Sequence, residues 1–292
     1  MTSLPRRRRP LPVLYLLTQI AAVIALCGGC ASLAVAQPEP AANAAFDTYV
    51  RGLENRLAQQ HRSADTFTAP VNLPDAAARL RKGEFLIENL TPNPAPNLPG
   101  ALLFHWRGTA FVPGATAAEF EHLLRDFNSY PKYFSPQVLQ ASILSRNGDH
   151  LEARMRVRQK HVITVVLDTN YDVTFGRLDP QHGYSLSRST QITEIEDAGT
   201  PKERALSPAQ AHGFLWRLNT YWTREERDGG LYLQIESVSL TRSIPSGLAW
   251  IVRPFVESIP RESLEFTLHA AANALRKQPA VPDTPDQPTP KS

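Results

Sequence analysis

The sequence predicts an α+β fold: a seven-stranded curved antiparallel sheet wrapped around a long C-terminal helix, with an extra N-terminal helix. Three observations carry this expectation. Six β-rich runs follow one another between residues 138 and 242 with no helix between them. Two of their turns read Asn147-Gly148-Asp149 and Asp228-Gly229-Gly230, residues that accept the positive φ angles of tight hairpins. An apolar pattern of helical spacing then closes the region over 247–276.

The first 36 residues read as an address. Arg6 to Arg9 form a positive start, and Leu11 to Leu26 is a mostly apolar run. Ala34-Val35-Ala36 supplies the small-x-small pattern at which signal peptidase cuts, giving a mature start at Gln37. The apolar run is shorter than the ~20 residues a membrane span needs. Both cysteines, Cys27 and Cys30, lie in this segment, so cleavage leaves no disulfide, thiolate nucleophile or sulfur-ligated metal. The expectation is an exported, periplasmic protein. The alternatives are a lipoprotein tethered through Cys30 and an uncleaved N-terminal anchor.

Composition narrows the rest. Of 292 residues 42% are hydrophobic and 20% charged, enough to bury a core, which excludes a wholly disordered chain. Sixteen of the 25 prolines fall in residues 1–40, 70–99 and 278–292, so their excess marks the ends and a linker. The formal charge of +3 rests on the leader: without it, 27 basic side chains face 28 acidic ones. A near-neutral chain offers no clustered basic face, so nucleic acid is excluded as a partner.

Residues 37–100 hold an N-terminal helix and a Pro-rich linker. Phe46, Val50, Leu53 and Leu57 recur at helical spacing over 42–60. Phe85-Leu86-Ile87 has the composition of a short strand, and Pro92, Pro94, Pro96 and Pro99 make an extended run. From residue 101 the first strand reaches Val112. Thr116-Ala117-Ala118-Glu119 is a capping box ahead of Phe120, Leu123, Leu124 and Phe127, one apolar helical face. The later strands are expected at 138–146, 151–158, 162–175, 184–195, 214–224 and 231–242. In the second of these, Leu151, Ala153, Met155 and Val157 share one face, and Glu152, Arg154, Arg156 and Arg158 the other. Pro260 predicts a kink or break at Ile259 in the last helix, and Pro254 a second kink. Residues 278–292 read as a disordered Pro-rich tail.

Strand, helices, six strands and a long helix make the helix-grip order. Phe127-Asn128-Ser129-Tyr130-Pro131-Lys132-Tyr133, the arm Val138 to Gly148, and Arg253-Pro254-Phe255-Val256-Glu257-Ser258-Ile259-Pro260 resemble the START / polyketide-cyclase-like (SRPBCC) superfamily. The resemblance covers about residues 101–277. It implies a binding or carrier role for an apolar small molecule, such as a lipid, quinone or polyketide, held between sheet and C-terminal helix.

The inward candidates for ligand contact are Met155, Val157, Phe214, Trp216, Leu218, Trp250, Ile251 and Phe255, each with ordinary core packing as its alternative. Glu236 and Arg242 share strand parity with Val238 and Leu240, so they face the cavity if those two face inward. Charges there must be paired or meet a ligand; solvent-facing strand ends are the alternative. Arg217 belongs to the same group of polar residues.

No catalytic constellation is visible. The eight histidines form no metal-ligand spacing, no Gly-x-Ser-x-Gly occurs, and neither metal nor cofactor is expected. Two alternatives to a carrier remain. One is a cyclase, dehydratase or hydrolase of this fold, with Glu236, His105 or Asp168 as acid or base. The other is an interaction module whose cavity is filled. The row Arg154, Arg156, Arg158 and Lys160 reads as a solvated face, or as a surface for transient contact with anionic membrane headgroups.

Overall fold

A computed structural model describes residues 37–93, 96, 98–160, 163–244 and 249–277, with the side chains of 249–257 excepted. The segments expected as a leader, 1–36, and as a disordered tail, 278–292, lie outside the described residues.

The chain begins with helix α1 (Pro40–Gln60), a short helix α2 (Ala76–Arg81) and strand β1 (Leu86–Asn89). Then come β2 (Ala101–Pro113), α3 (Ala117–Arg125) and α4 (Tyr130–Tyr133). The sheet continues with β3 (Val138–Asn147), β4 (His150–Lys160), β5 (Thr164–Arg177), β6 (His182–Glu196), β7 (Arg204–Ala205), β8 (Arg217–Arg227) and β9 (Gly230–Arg242), and α5 (Ala249–Lys277) follows. All pairings are antiparallel, in the order β1-β2-β9-β8-β6-β5-β4-β3, with β7 against β6. This is the helix-grip arrangement.

Local chemistry explains the punctuation. The Thr116 hydroxyl accepts from the Glu119 amide, and the Glu119 carboxylate accepts from the Thr116 amide at 2.8 Å, the capping box read from the sequence. Asp228 and Gly229 both take positive φ (58° and 73°), the geometry a two-residue hairpin between β8 and β9 requires.

Three features differ from the sequence expectation. The sheet has nine strands, not seven, because β1 adds to the β2 edge and the two-residue β7 to β6. β8 starts at Arg217, which leaves Phe214 and Trp216 in the preceding segment. α5 is continuous through Pro254 and Pro260, with no break at Ile259. A proline forfeits one backbone hydrogen bond, and burial of Leu264, Leu268, Ala271 and Leu275 against the sheet outweighs that loss.

The sheet has two covered faces, and alternation along β9 separates them. Leu231, Leu233 and Ile235 join the concave core with Leu264, Leu268 and Ala271 of α5. Val238 and Leu240 instead pack with Phe46, Val50, Leu53 and Leu57 of α1 on the convex side. α5 comes close to the sheet at Gly108 of β2. A Cβ there would lie 2.7 Å from Leu264 and 3.0 Å from Leu268, both buried. Gly108→Val is therefore expected to cost about 1–3 kcal/mol by overpacking, read as a fall in the urea midpoint. An unchanged midpoint would mean that α5 does not press on β2.

Candidate functional site

The concave face is closed at one end and open at the other. At the closed end Leu151 and Ala153 of β4, Val173 and Phe175 of β5, Trp222 of β8 and Ile235 of β9 are buried under α3, α4 and the C-terminal part of α5. One step along the same strands the burial relaxes. Met155, Val157, Ser187, Leu218, Thr220, Ser237 and Trp106 face the same side yet are only partly buried, although most belong to central strands. Their same-face neighbours Thr169 and Leu167, paired with Met155 and Val157, and Ser239 and Phe104 beside Leu218 remain buried, so the relaxation is local to these positions.

Register places the polar members in one row across the sheet. Ser187 of β6 pairs with Thr220 of β8, Thr220 with Ser237 of β9, and Ser237 with Trp106 of β2. Behind it, Leu218 pairs with Ser239, which pairs with Phe104. The Ser189 hydroxyl on β6 accepts from the Leu218 amide at 2.9 Å. Among the described residues, the indole N–H of Trp106 is buried without a hydrogen-bond partner.

Of the residues singled out in the sequence, Met155, Val157 and Leu218 lie on this open half. Phe214 is exposed in the loop before β8 and stacks on His212. That loop is pinned by the buried carboxylate of Glu194, which accepts from the amides of His212, Gly213 and Phe214 at 2.9, 2.9 and 3.0 Å. Trp216 packs against the convex cluster with Tyr49 and Ala45, away from the open face. The side chains of Trp250, Ile251 and Phe255 lie outside the described residues.

Glu236 and Arg242 require a correction. Val238 and Leu240 face outward onto α1, so their strand parity carries Glu236 and Arg242 to the convex side as well. The expectation failed because a second apolar helix makes an outward-facing Val and Leu look like core. Glu236 is instead the centre of a buried polar cluster beneath α1. Its carboxylate accepts from Arg56 Nη2 of α1 at 2.5 Å and from His105 Nε2 at 2.8 Å. A carboxylate can only accept, so Nε2 donates, and on the other side of the ring Nδ1 is hydrogen-bonded to the Tyr49 hydroxyl at 2.7 Å. Arg107 runs alongside, bidentate to Glu88 at 2.9 and 3.0 Å. Burial pushes Glu236 toward the neutral acid, but the His105 hydrogen bond and the Arg56 charge outweigh it and hold the carboxyl below its usual value. Burial and the Glu236 charge push the Tyr49 hydroxyl up to about 12.

The remaining acid–base candidate, Asp168, is also engaged. It accepts from Arg154 at 2.7 Å and from Arg156 at 2.7 and 2.9 Å. Burial opposes ionisation, and these hydrogen bonds override it and keep the carboxyl low. The same contacts neutralise half of the basic row 154–160, and Arg156 also meets Glu203 at 2.6 Å. Glu236, His105 and Asp168 therefore hold structural partners rather than facing the open half. Among the described residues no group of three His, Cys, Asp or Glu side chains could hold a metal ion, and no helix is long and apolar enough to cross a membrane.

Sequence reasoning missed the hydroxyl row. Its signal was present as the period-two runs Ser185-x-Ser187-x-Ser189 and Ser237-x-Ser239-x-Thr241, which alternation assigns to single faces.

No family model matches the chain, and no curated protein is similar to it. Among solved structures, similar ones include a START superfamily protein from Mycobacterium smegmatis, 15% identical with TM-score 0.40, over 59% of this chain and 97% of that one. A STAR-related lipid transfer protein from Xanthomonas axonopodis is 19% identical, TM-score 0.40, over 63% and 97% respectively. The Zhui aromatase/cyclase from Streptomyces sp. R1128 is 14% identical, TM-score 0.41, over 60% and 95%.

Proposed function

We propose that this chain is an exported START-like protein that binds or carries a hydrophobic small molecule on the open half of its concave face. The observation that carries the reading is the contrast along single strands: Leu151 and Trp222 are buried by α3 and α5, while Met155, Val157, Leu218 and Thr220 on the same face keep accessible surface. A concave surface lined by apolar side chains with a few polar groups is the usual form of a small-molecule site. The motifs at 127–133 and 253–260, and the leader pattern at 1–36, support the superfamily and the export in this reading. Phe214 at the exposed loop and Met155 and Val157 on β4 are the proposed contacts, together with Leu218.

Native mass spectrometry of protein purified from its own host tests the reading. The expected result is a mature chain beginning at Gln37 with an added mass that organic extraction removes. Repeated preparations with no added mass, together with no uptake of a neutral apolar fluorophore, would refute it.

A further inference from the structure

We infer that α1 is a strap that leaves the convex face as a unit when the pH falls, with His61 as the proton-sensing group, while the concave core stays folded. The strap lies on the opposite face from the open half, so its release is independent of what that half carries.

Separate packing makes the release local. The buried cluster on the convex side joins Phe46, Val50, Leu53 and Leu57 of α1 to Leu103, Tyr221, Val238 and Leu240 of the sheet. The larger concave cluster, built from α3, α5 and the facing sides of β2, β4, β5, β8 and β9, contains no residue of α1. Lifting α1 therefore opens the first cluster and leaves the second closed. That is the condition for a sub-global opening that needs less free energy than full unfolding. The strand pairings survive as well, because α1 contributes no strand to the sheet.

Charge makes the release acid-sensitive. Three ion pairs cross the seam: Asp47 with Arg217 at 3.0 Å, Glu54 with Arg188 at 2.7 Å, and Arg56 with Glu236 at 2.5 Å. The Tyr221 hydroxyl adds a hydrogen bond to Glu54 at 3.0 Å. His61 ends the helix and is half-buried. It meets the Thr223 hydroxyl of β8 at 3.0 Å, stacks on Tyr184 of β6 at 4.4 Å and touches the ring of Phe67 at 4.7 Å. The charges that act on it are Arg56 of α1 and Glu236 of β9. Beyond Phe67 lies His182 of β6, held by Asp179 at 2.9 Å and 3.9 Å from Glu225 of β8. Glu236 already holds Arg56 and His105, so a proton on His61 puts a second cation at the end of α1 without a carboxylate of its own.

The docked ring resists that proton: burial and the Arg56 charge bring its pKa from 6.5 to about 4. A released α1 returns His61 to water and to the ordinary value. Between the two values the released state binds a proton that the docked state refuses, so opening is favoured as the pH falls through this window and is unaffected by His61 above it. The shift corresponds to an increase in the opening constant of about 50-fold from pH 7 to pH 4.5.

Native-state hydrogen exchange of the mature chain in low urea, at pH 7 and pH 4.5 and corrected for intrinsic rates, tests the strap. Amides of residues 46–57 should exchange through an opening with weaker protection and a shallower urea dependence than those of residues 231–235. Their opening constant should rise about 50-fold at the lower pH. In His61→Phe the rise should shrink to tenfold or less; if that variant does not fold, His61→Gln, which keeps a hydrogen bond for Thr223, should give the same result. Equal protection and equal urea dependence for 46–57 and 231–235 would mean that α1 leaves only with the whole fold. No rise in the parent protein, or an undiminished rise in the folded His61 variant, would remove His61 as the sensor. Each of these outcomes overturns the inference.

Discussion

Glu236→Ala is expected to lower folding stability by about 3–5 kcal/mol, the usual consequence of removing one partner from a buried ionic cluster. The carboxylate is 2% exposed and holds Arg56 of α1 and His105 of β2 at once. Its removal leaves the His105 Nε2–H buried with no acceptor, while Arg56, 41% exposed, can turn to water. The damage should concentrate where α1 crosses the convex face, so hydrogen exchange should rise first over residues 46–57. Glu236→Gln keeps an acceptor and should cost less. His105→Leu/Glu236→Leu replaces both partners by apolar groups and should recover part of the loss. Urea unfolding measures all three. Because the cluster lies on the opposite face from the open half, 1-aminoanthracene affinity of folded Glu236→Ala should equal that of the parent. A variant as stable as the parent, or one that loses the fluorophore while still folded, would show that the cluster does not anchor α1 or that it reaches the concave site.

Acidification should remove about 3 kcal/mol through His61 alone. His61 follows α1, stacks on Tyr184 at 4.4 Å and meets the Thr223 hydroxyl at 3.0 Å. Burial, reinforced by the Arg56 charge and only partly opposed by Glu236, lowers its pKa from 6.5 to about 4. Between these values the unfolded chain binds a proton that the folded chain refuses, so stability falls as the pH is lowered from about 6.5 to 4 and is fully present above that window. Each pKa unit is worth about 1.4 kcal/mol, which sets the size of the loss. His61→Phe keeps the stack on Tyr184 and removes the titration. The stability difference between parent and variant should therefore vary by about 3 kcal/mol from pH 7 to pH 4. A difference independent of pH would mean that His61 titrates alike in both states. Glu236 adds to acid sensitivity lower down: with its folded pKa held below the ordinary carboxylate value, its contribution persists above that value and is lost as the pH falls through the lower one.

Much of the fold was legible because its elements depend on local chemistry. The Thr116–Glu119 box, the Asn147-Gly148 and Asp228-Gly229 hairpins, and the apolar spacing of α1 each involve residues within one or two turns of chain. β7 was invisible because two residues carry no periodicity, and the continuity of α5 through Pro260 was invisible because packing, not propensity, maintains it.

The site divides in the same way. Alternation alone determined that Met155 shares a face with Val157, and Glu236 with Val238 and Leu240. Only the tertiary structure decided which of those faces meets α1 and which meets α5. Both sides of the sheet are covered by an apolar helix, so hydrophobicity marks each as interior, and period two reports sidedness without saying which side encloses the open space.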